Sequence, residues 1–126
     1  MKKNNIYNLT PKDEKIIHVF SDLGMPKNLA KTLLYISQVD ECRSAEIERG
    51  TELRQPEVSV AMQQLQNRGW IEKRDLRKKG KGRPVHLYKL TTSIEDITKG
   101  FEDEKNKEID SVKKDIKDLW NLIESR

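Results

Sequence analysis

One cysteine and two histidines are all that 126 residues offer to thiol or imidazole chemistry. The lone Cys42 excludes an internal disulfide framework. His18 and His86 have no ligand partners at useful spacing, and a metal site wants three or four such groups, so no metal is expected. Cys42 reads as a small half-buried residue rather than a redox sensor, which would need an exposed, acidified thiol. No apolar run approaches the length of a membrane span, and the start Met1-Lys-Lys-Asn-Asn lacks the apolar region of a signal peptide. A cytoplasmic chain without membrane contact is expected. There is no glycine-rich nucleotide loop, no Ser/His/Asp set and no acidic pair in an apolar setting, so neither an enzyme nor a cofactor is expected.

What the chain has in quantity is charge. Charged residues make up 37% and hydrophobic ones 34%, enough for one small domain with a modest core and one added element. The net charge of +4 is unevenly spread: residues 1–90 carry 18 Lys/Arg against 11 Asp/Glu, whereas 91–126 carry 7 against 10. Between 73 and 83 seven basic residues face one acid, Asp75. A concentrated cationic surface is what polyanion binding requires.

Periodicity divides the chain into a flexible N-terminus over 1–9, a compact domain over 10–90 and a C-terminal helix over 91–126. Thr10, Pro11 and Asp13 mark a helix start, with Ile16, Phe20 and Leu23 as its inward stripe, widened by Ile17 and Val19, and Gly24 as its stop. Pro26 opens a second helix lined by Leu29, Leu33 and Ile36. Ser44 caps a short third helix with Ala45 and Ile47 inward, and Gly50-Thr51 makes the following turn. A fourth helix begins near Gln55 and buries Val58, Ala61, Met62 and Leu65 at i, i+3, i+4 and i+7, with Gly69 as a left-handed cap. Strands over 70–74 and 85–90 flank a loop containing Gly80, Gly82 and Pro84.

The last segment carries the apolar seam Ile94, Ile97, Phe101, Ile109, Val112, Ile116, Leu119 and Ile123. From Ile109 the spacing is 3, 4, 3, 4, a heptad pattern, while Lys105 interrupts it upstream like a stutter. A polar helix of that length cannot bury its seam on so small a domain. The expected cover is the same helix of a second copy.

Opposite its buried stripe the fourth helix presents Gln55, Pro56, Ser59, Val60 and Gln63. Gln pairs with adenine, Ser bonds to several bases and Val touches a thymine methyl, so these are the candidate base contacts. Arg54, Lys73, Arg77, Lys78, Lys79, Lys81 and Arg83 are the candidate phosphate or minor-groove contacts. Lys81-Gly82-Arg83-Pro84 also resembles an AT-hook core, in which a guanidinium enters a narrow minor groove.

The segment Arg54-Gln55-Pro56-Glu57-Val58-Ser59-Val60-Ala61-Met62, with Leu65 and Arg68-Gly69-Trp70-Ile71, resembles the recognition helix and following strand of the ArsR, MarR and TrmB-like winged-helix transcription regulators. The ending Gly82-Arg83-Pro84 to Tyr88-Lys89-Leu90 is similar to the wing of archaeal members. The resemblance covers 10–90. It implies a mostly α fold with a small β-hairpin (α+β), a winged helix-turn-helix followed by a long dimerisation helix. It further implies a homodimer that binds double-stranded DNA and regulates transcription, reading sequence through Gln55, Ser59 and Gln63. A small-molecule effector would have to bind the core or the dimer cleft, because the added sugar-binding domain of long TrmB proteins is missing. Two other readings stand beside this one: a winged-helix protein-interaction module, and a chromatin-type DNA binder without sequence preference.

Overall fold

The computed structural model describes residues 7–76 and 85–126. The chain divides into one unit up to Ser93 and a second over Ile94–Arg126, and each is treated by itself. Four helices, a hairpin and a last helix follow in order: α1 (Pro11–Asp22), α2 (Lys27–Ser37), α3 (Ser44–Thr51), α4 (Gln55–Asn67), β1 (Ile71–Leu76), β2 (Val85–Leu90) and α5 (Ile94–Glu124). This is the expected α+β winged helix-turn-helix with a long C-terminal helix.

The start of α1 follows directly from its residues. The Thr10 hydroxyl accepts from the Asp13 backbone N–H at 3.1 Å, and the Asp13 carboxylate accepts from the Thr10 N–H at 2.9 Å. This reciprocal cap satisfies two donors that a helix start leaves unpaired. Asp13 is only 5% exposed and also accepts from the Tyr7 hydroxyl. Tyr7 is half-buried, lies edge-on to Tyr35 with ring centroids 6.0 Å apart, and has its phenol pushed up to about 12 by burial and by Asp13.

The inward stripe of α1 is also corrected. Ile17 and Phe20 are buried with Asp13, whereas Ile16, Val19 and Leu23 are 37%, 55% and 49% exposed. Both sets recur at helical spacing, so periodicity alone left the choice open. Asp13, Ile17 and Phe20 share one side at i, i+4 and i+7, and α1, packed on α2, buries that side. The helix ends as expected, with Gly24 in a left-handed conformation at φ 104°.

Central to the unit is α2. Every residue from Leu29 to Ser37 except Lys31 is buried, since α1, α3, α4 and β2 all pack on it. Two of its hydroxyls bond inside the helix, Thr32 Oγ1 to the Asn28 carbonyl at 2.9 Å and Ser37 Oγ to the Leu34 carbonyl at 2.7 Å, so burying these two leaves neither donor unmet.

Two expectations for α3 change. Ile47 is buried, but Ala45 is exposed. The helix runs through Gly50 to Thr51, and the turn falls at Glu52, which takes a left-handed φ of 61°. Gly50 is present for space rather than for turning: a Cβ there would collide with the Tyr35 ring and the Tyr7 carbonyl oxygen. The turn is held instead by Thr51, whose hydroxyl donates to the Ile47 carbonyl at 2.6 Å and accepts from the Leu53 N–H at 3.3 Å.

The strands pair antiparallel with Ile71 opposite Leu90, Lys73 opposite Tyr88 and Asp75 opposite His86. β1 begins one residue later than expected and extends to Leu76. An isolated bridge joins Cys42 to Tyr88 on the other edge of β2, through bonds of 3.0 and 2.8 Å. No helix among the described residues is long and apolar enough to cross a membrane.

The second unit is the single helix α5, 31 residues and so about 46 Å long. Ile97 and Phe101 are 2% and 6% exposed in one copy, whereas Ile109, Val112, Ile116, Leu119 and Ile123 lie between 45% and 56%. Of the expected seam, Ile97 and Phe101 are buried, Ile94 is half-buried, and Ile109 to Ile123 are open. Gly100 sits inside this helix with nothing near an added Cβ. Gly100→Ala should therefore stabilise α5 by about 0.5–1 kcal/mol, read as a higher thermal midpoint or a denaturant midpoint shift at unchanged slope.

Candidate nucleic-acid interface

The start of α4 gives its one acid, Glu57, a local role. The Glu57 carboxylate accepts from the Arg54 backbone N–H at 2.9 Å, closing the first turn. Its charge also lies near the positive end of the helix dipole. Pro56, lacking an N–H, occupies a first-turn position where no intrahelical donor is needed. Val58, Ala61, Met62 and Leu65 are buried as expected, and Gly69 at φ 76° terminates the helix. Trp70 follows, half-buried, with the Arg68 guanidinium 4.9 Å above its ring.

All five candidate base contacts are exposed, and they border two grooves along α4. Gln55, Ser59 and Gln63 line a largely polar groove of about 350 Å³, shared with Ser44 at the start of α3, Gln66 and Tyr88 of β2. Pro56 and Val60 lie on the opposite flank, in a more apolar groove of about 390 Å³ against Pro26, Asn28 and Leu29. At 100° per residue Ser59 and Gln63 stand on one side of the outward direction and Val60 on the other, so the one outer face is shared between the two grooves.

Three residues of the polar groove are additions that sequence reasoning missed. Gln66 had a signal, since it repeats Ser59 at i+7 and Gln63 at i+3. Tyr88 and Ser44 had none, because their placement depends on how the hairpin and α3 pack beside α4.

Strand alternation sorts the cations of the hairpin. Lys73 shares a face with its partner Tyr88 and with the Asp75–His86 pair, whose Nδ1 and Oδ1 are 2.6 Å apart. Arg74 and Lys89 point to the other face. There Arg74 forms a forked bond to Glu41 at 2.8 and 3.0 Å, and Lys89 lies 3.7 Å from Glu72. The Arg74 hydrogen bond holds the Glu41 carboxyl below its usual range. The link is therefore complete at neutral pH and is lost as the pH falls through that lowered value. Arg54 is well exposed beside the α4 start, its side chain 87% accessible. Arg77, Lys78, Lys79, Lys81 and Arg83 lie outside the described residues.

Cys42 is corrected from half-buried to fully buried, at 0% exposure. Its thiol is pushed up to about 12 by burial, with Glu46 and Glu41 adding to the effect. The neutral thiol at physiological pH is a poor nucleophile. Native protein at pH 8 should therefore resist a maleimide or disulfide reagent and take up one equivalent only in denaturant. Fast labelling of folded protein would contradict this burial. Among the described residues no group of three or more His, Cys, Asp or Glu could hold a metal ion.

No protein-family model and no curated protein matches the sequence. Among solved structures the chain is similar to MepR, a transcription regulator of the Staphylococcus aureus multidrug efflux pump MepA, at 17% identity and a TM-score of 0.49 over 90% of this chain and 88% of that one. It is similar to a MarR family regulator from Neisseria meningitidis at 18% identity and a TM-score of 0.47, over 90% and 89% of the two chains. It is also similar to Pex from Synechococcus at 18% identity and a TM-score of 0.46, over 76% and 96%. By its own order of helices and its antiparallel hairpin, the chain has a winged helix-turn-helix architecture.

Proposed function

We propose that this chain is a sequence-specific, double-stranded DNA-binding transcription regulator acting as a homodimer. In this reading α4 enters the major groove, Gln55, Ser59 and Gln63 meet base edges, and Arg54, Lys73 and the basic hairpin tip grip phosphates or the minor groove. Two copies join through α5. The observation that carries the reading is the polar flank of α4. Three exposed hydrogen-bonding side chains stand on a helix about 20 Å long, in one groove with Ser44 and Tyr88. A major groove about 12 Å wide admits such a helix, and amide and hydroxyl groups are what its base edges pair with.

The test is selection of duplexes from a random pool, followed by affinity measurements at several salt concentrations. An enriched palindrome with a steep salt dependence is the expected result. Steep salt dependence without enrichment would make the protein a chromatin-type binder. Absence of binding at low salt would make it an interaction module.

A further inference from the structure

The open seam of α5 contains more than a demand for a partner; its composition is directional. We propose that two copies of α5 associate as a parallel, in-register pair over Ile109–Ile123, with Glu108 of each copy bonded to Lys113 of the other. The proposal rests on the homodimer reading given above and adds the polarity and register of the pair.

With spacings of 3, 4, 3, 4, Ile109, Ile116 and Ile123 fall at heptad position a, and Val112 and Leu119 at position d. β-Branched residues at a with leucine at d favour two parallel strands, because in that geometry a branched side chain packs without strain into the a layer; the three a isoleucines and Leu119 follow this pattern, and Val112 departs from it. All five residues are about half exposed in a single copy, so each has surface left to bury.

Charge points the same way. The flanking g positions hold Glu108, Asp115 and Leu122, and the e positions hold Lys113 and Trp120, so the one charged g–e pair available is Glu108 with Lys113. In a parallel pair each g position meets the e position five residues on in the other helix. Glu108 then faces the second copy's Lys113 twice. Antiparallel helices instead set e against e and g against g. The antiparallel register that pairs Ile109 with Leu119 brings Lys113 to Lys113 and Asp115 to Asp115. The register that pairs Val112 with Ile123 avoids this but gives up the Ile109 layer. Upstream, the Lys105 ammonium lies 3.3 Å from Glu108 of its own helix and 5.3 Å from the Phe101 ring centroid, which marks the upper end of the apolar contact at Ile109.

Polarity has a consequence for DNA. Three residues separate β2 from α5, so each winged unit is tethered at the start of its helix. A parallel pair brings the two tethers together. An antiparallel pair in the Val112–Ile123 register separates them by about 70 Å along the axis, from the rise per residue.

The experiment uses the full chain carrying Cys42→Ala, with Ile109→Cys or Ile123→Cys added singly, under mild oxidation. The parallel pair predicts a cross-linked homodimer from each variant, since equivalent a positions lie within disulfide reach. In a second arm, Lys113→Glu and Glu108→Lys should each raise the dimer dissociation constant in sedimentation equilibrium at least fivefold, and the double variant should restore it. Circular dichroism checks that α5 stays helical in each. A dimer that cross-links at neither position, or is not rescued by the double exchange, overturns the parallel arrangement and leaves the homodimer reading standing. A chain that sediments as a monomer at micromolar concentration, or a chain truncated before Ile94 that still dimerises, overturns the reading on which the inference rests.

Discussion

Gly50→Ala is expected to destabilise the winged unit by about 1–3 kcal/mol, the range for forcing extra volume into a packed site. In most helices this exchange helps, because alanine restricts the unfolded chain and favours the helix. Here the added methyl would meet the Tyr35 ring and the Tyr7 carbonyl oxygen. Tyr35 is 1% exposed, so its ring has nowhere to turn. Relief must come from moving α3 off α2 or from releasing Tyr7, and the latter also frees the Tyr7 bond to Asp13. For a domain of this size each kcal/mol lowers the melting temperature by about 4–8 °C. Thermal unfolding of Gly50→Ala beside Gly100→Ala gives the contrast: the first should melt lower than the parent and the second higher. A Gly50→Ala protein that melts with the parent would mean that α3 does not press on the Tyr35 ring.

The second large effect concerns recognition. Gln63→Ala should weaken binding to the best selected duplex by about 1–3 kcal/mol, roughly ten- to a hundredfold, while scarcely changing binding to random DNA. Gln63 is exposed, lies on the polar flank of α4 and shares its groove with Ser59 and Tyr88, so truncating it removes hydrogen bonds without disturbing the core. Lys73→Ala should behave differently, lowering affinity for every sequence alike and reducing the salt slope by about one. Val60→Ala distinguishes the two flanks of the helix. If bases face the polar flank, loss of Val60 has the smaller effect; if Val60→Ala proves the more damaging of the two, the apolar flank is the one turned to DNA. Should Gln63→Ala leave the site preference intact, the assignment of the polar flank is wrong.

Which parts of this were legible before the structure follows from the range of the forces involved. The cap at Thr10–Asp13, the first-turn proline of α4, the left-handed Gly69 and the Val58–Ala61–Met62–Leu65 stripe are decided within a few residues of chain. Local sterics and hydrogen bonds act over that distance, so the residues announce them. The exposed α5 seam was equally visible, because a heptad pattern needs no tertiary context to be read.

The remainder was decided by packing. Ile16, Val19 and Leu23 obey the same period as Ile17 and Phe20, and packing on α2 took in the side that Ile17 and Phe20 share with Asp13 and left the other in water. Gly50 had the appearance of a turn residue. It lies inside α3 because Tyr35, fifteen positions earlier in the chain, occupies the space of its missing side chain. Composition marked five residues of α4 as alike, yet α2 on one side and β2 on the other sorted them into two grooves of different polarity. The start of α1, the two ends of α4 and its buried stripe were thus fixed by local order in the sequence. The choice of flank, the depth of Cys42 and the docking of Tyr7 were settled by contacts between segments distant in the chain, whose side-chain volumes must fit one another and which no local pattern encodes.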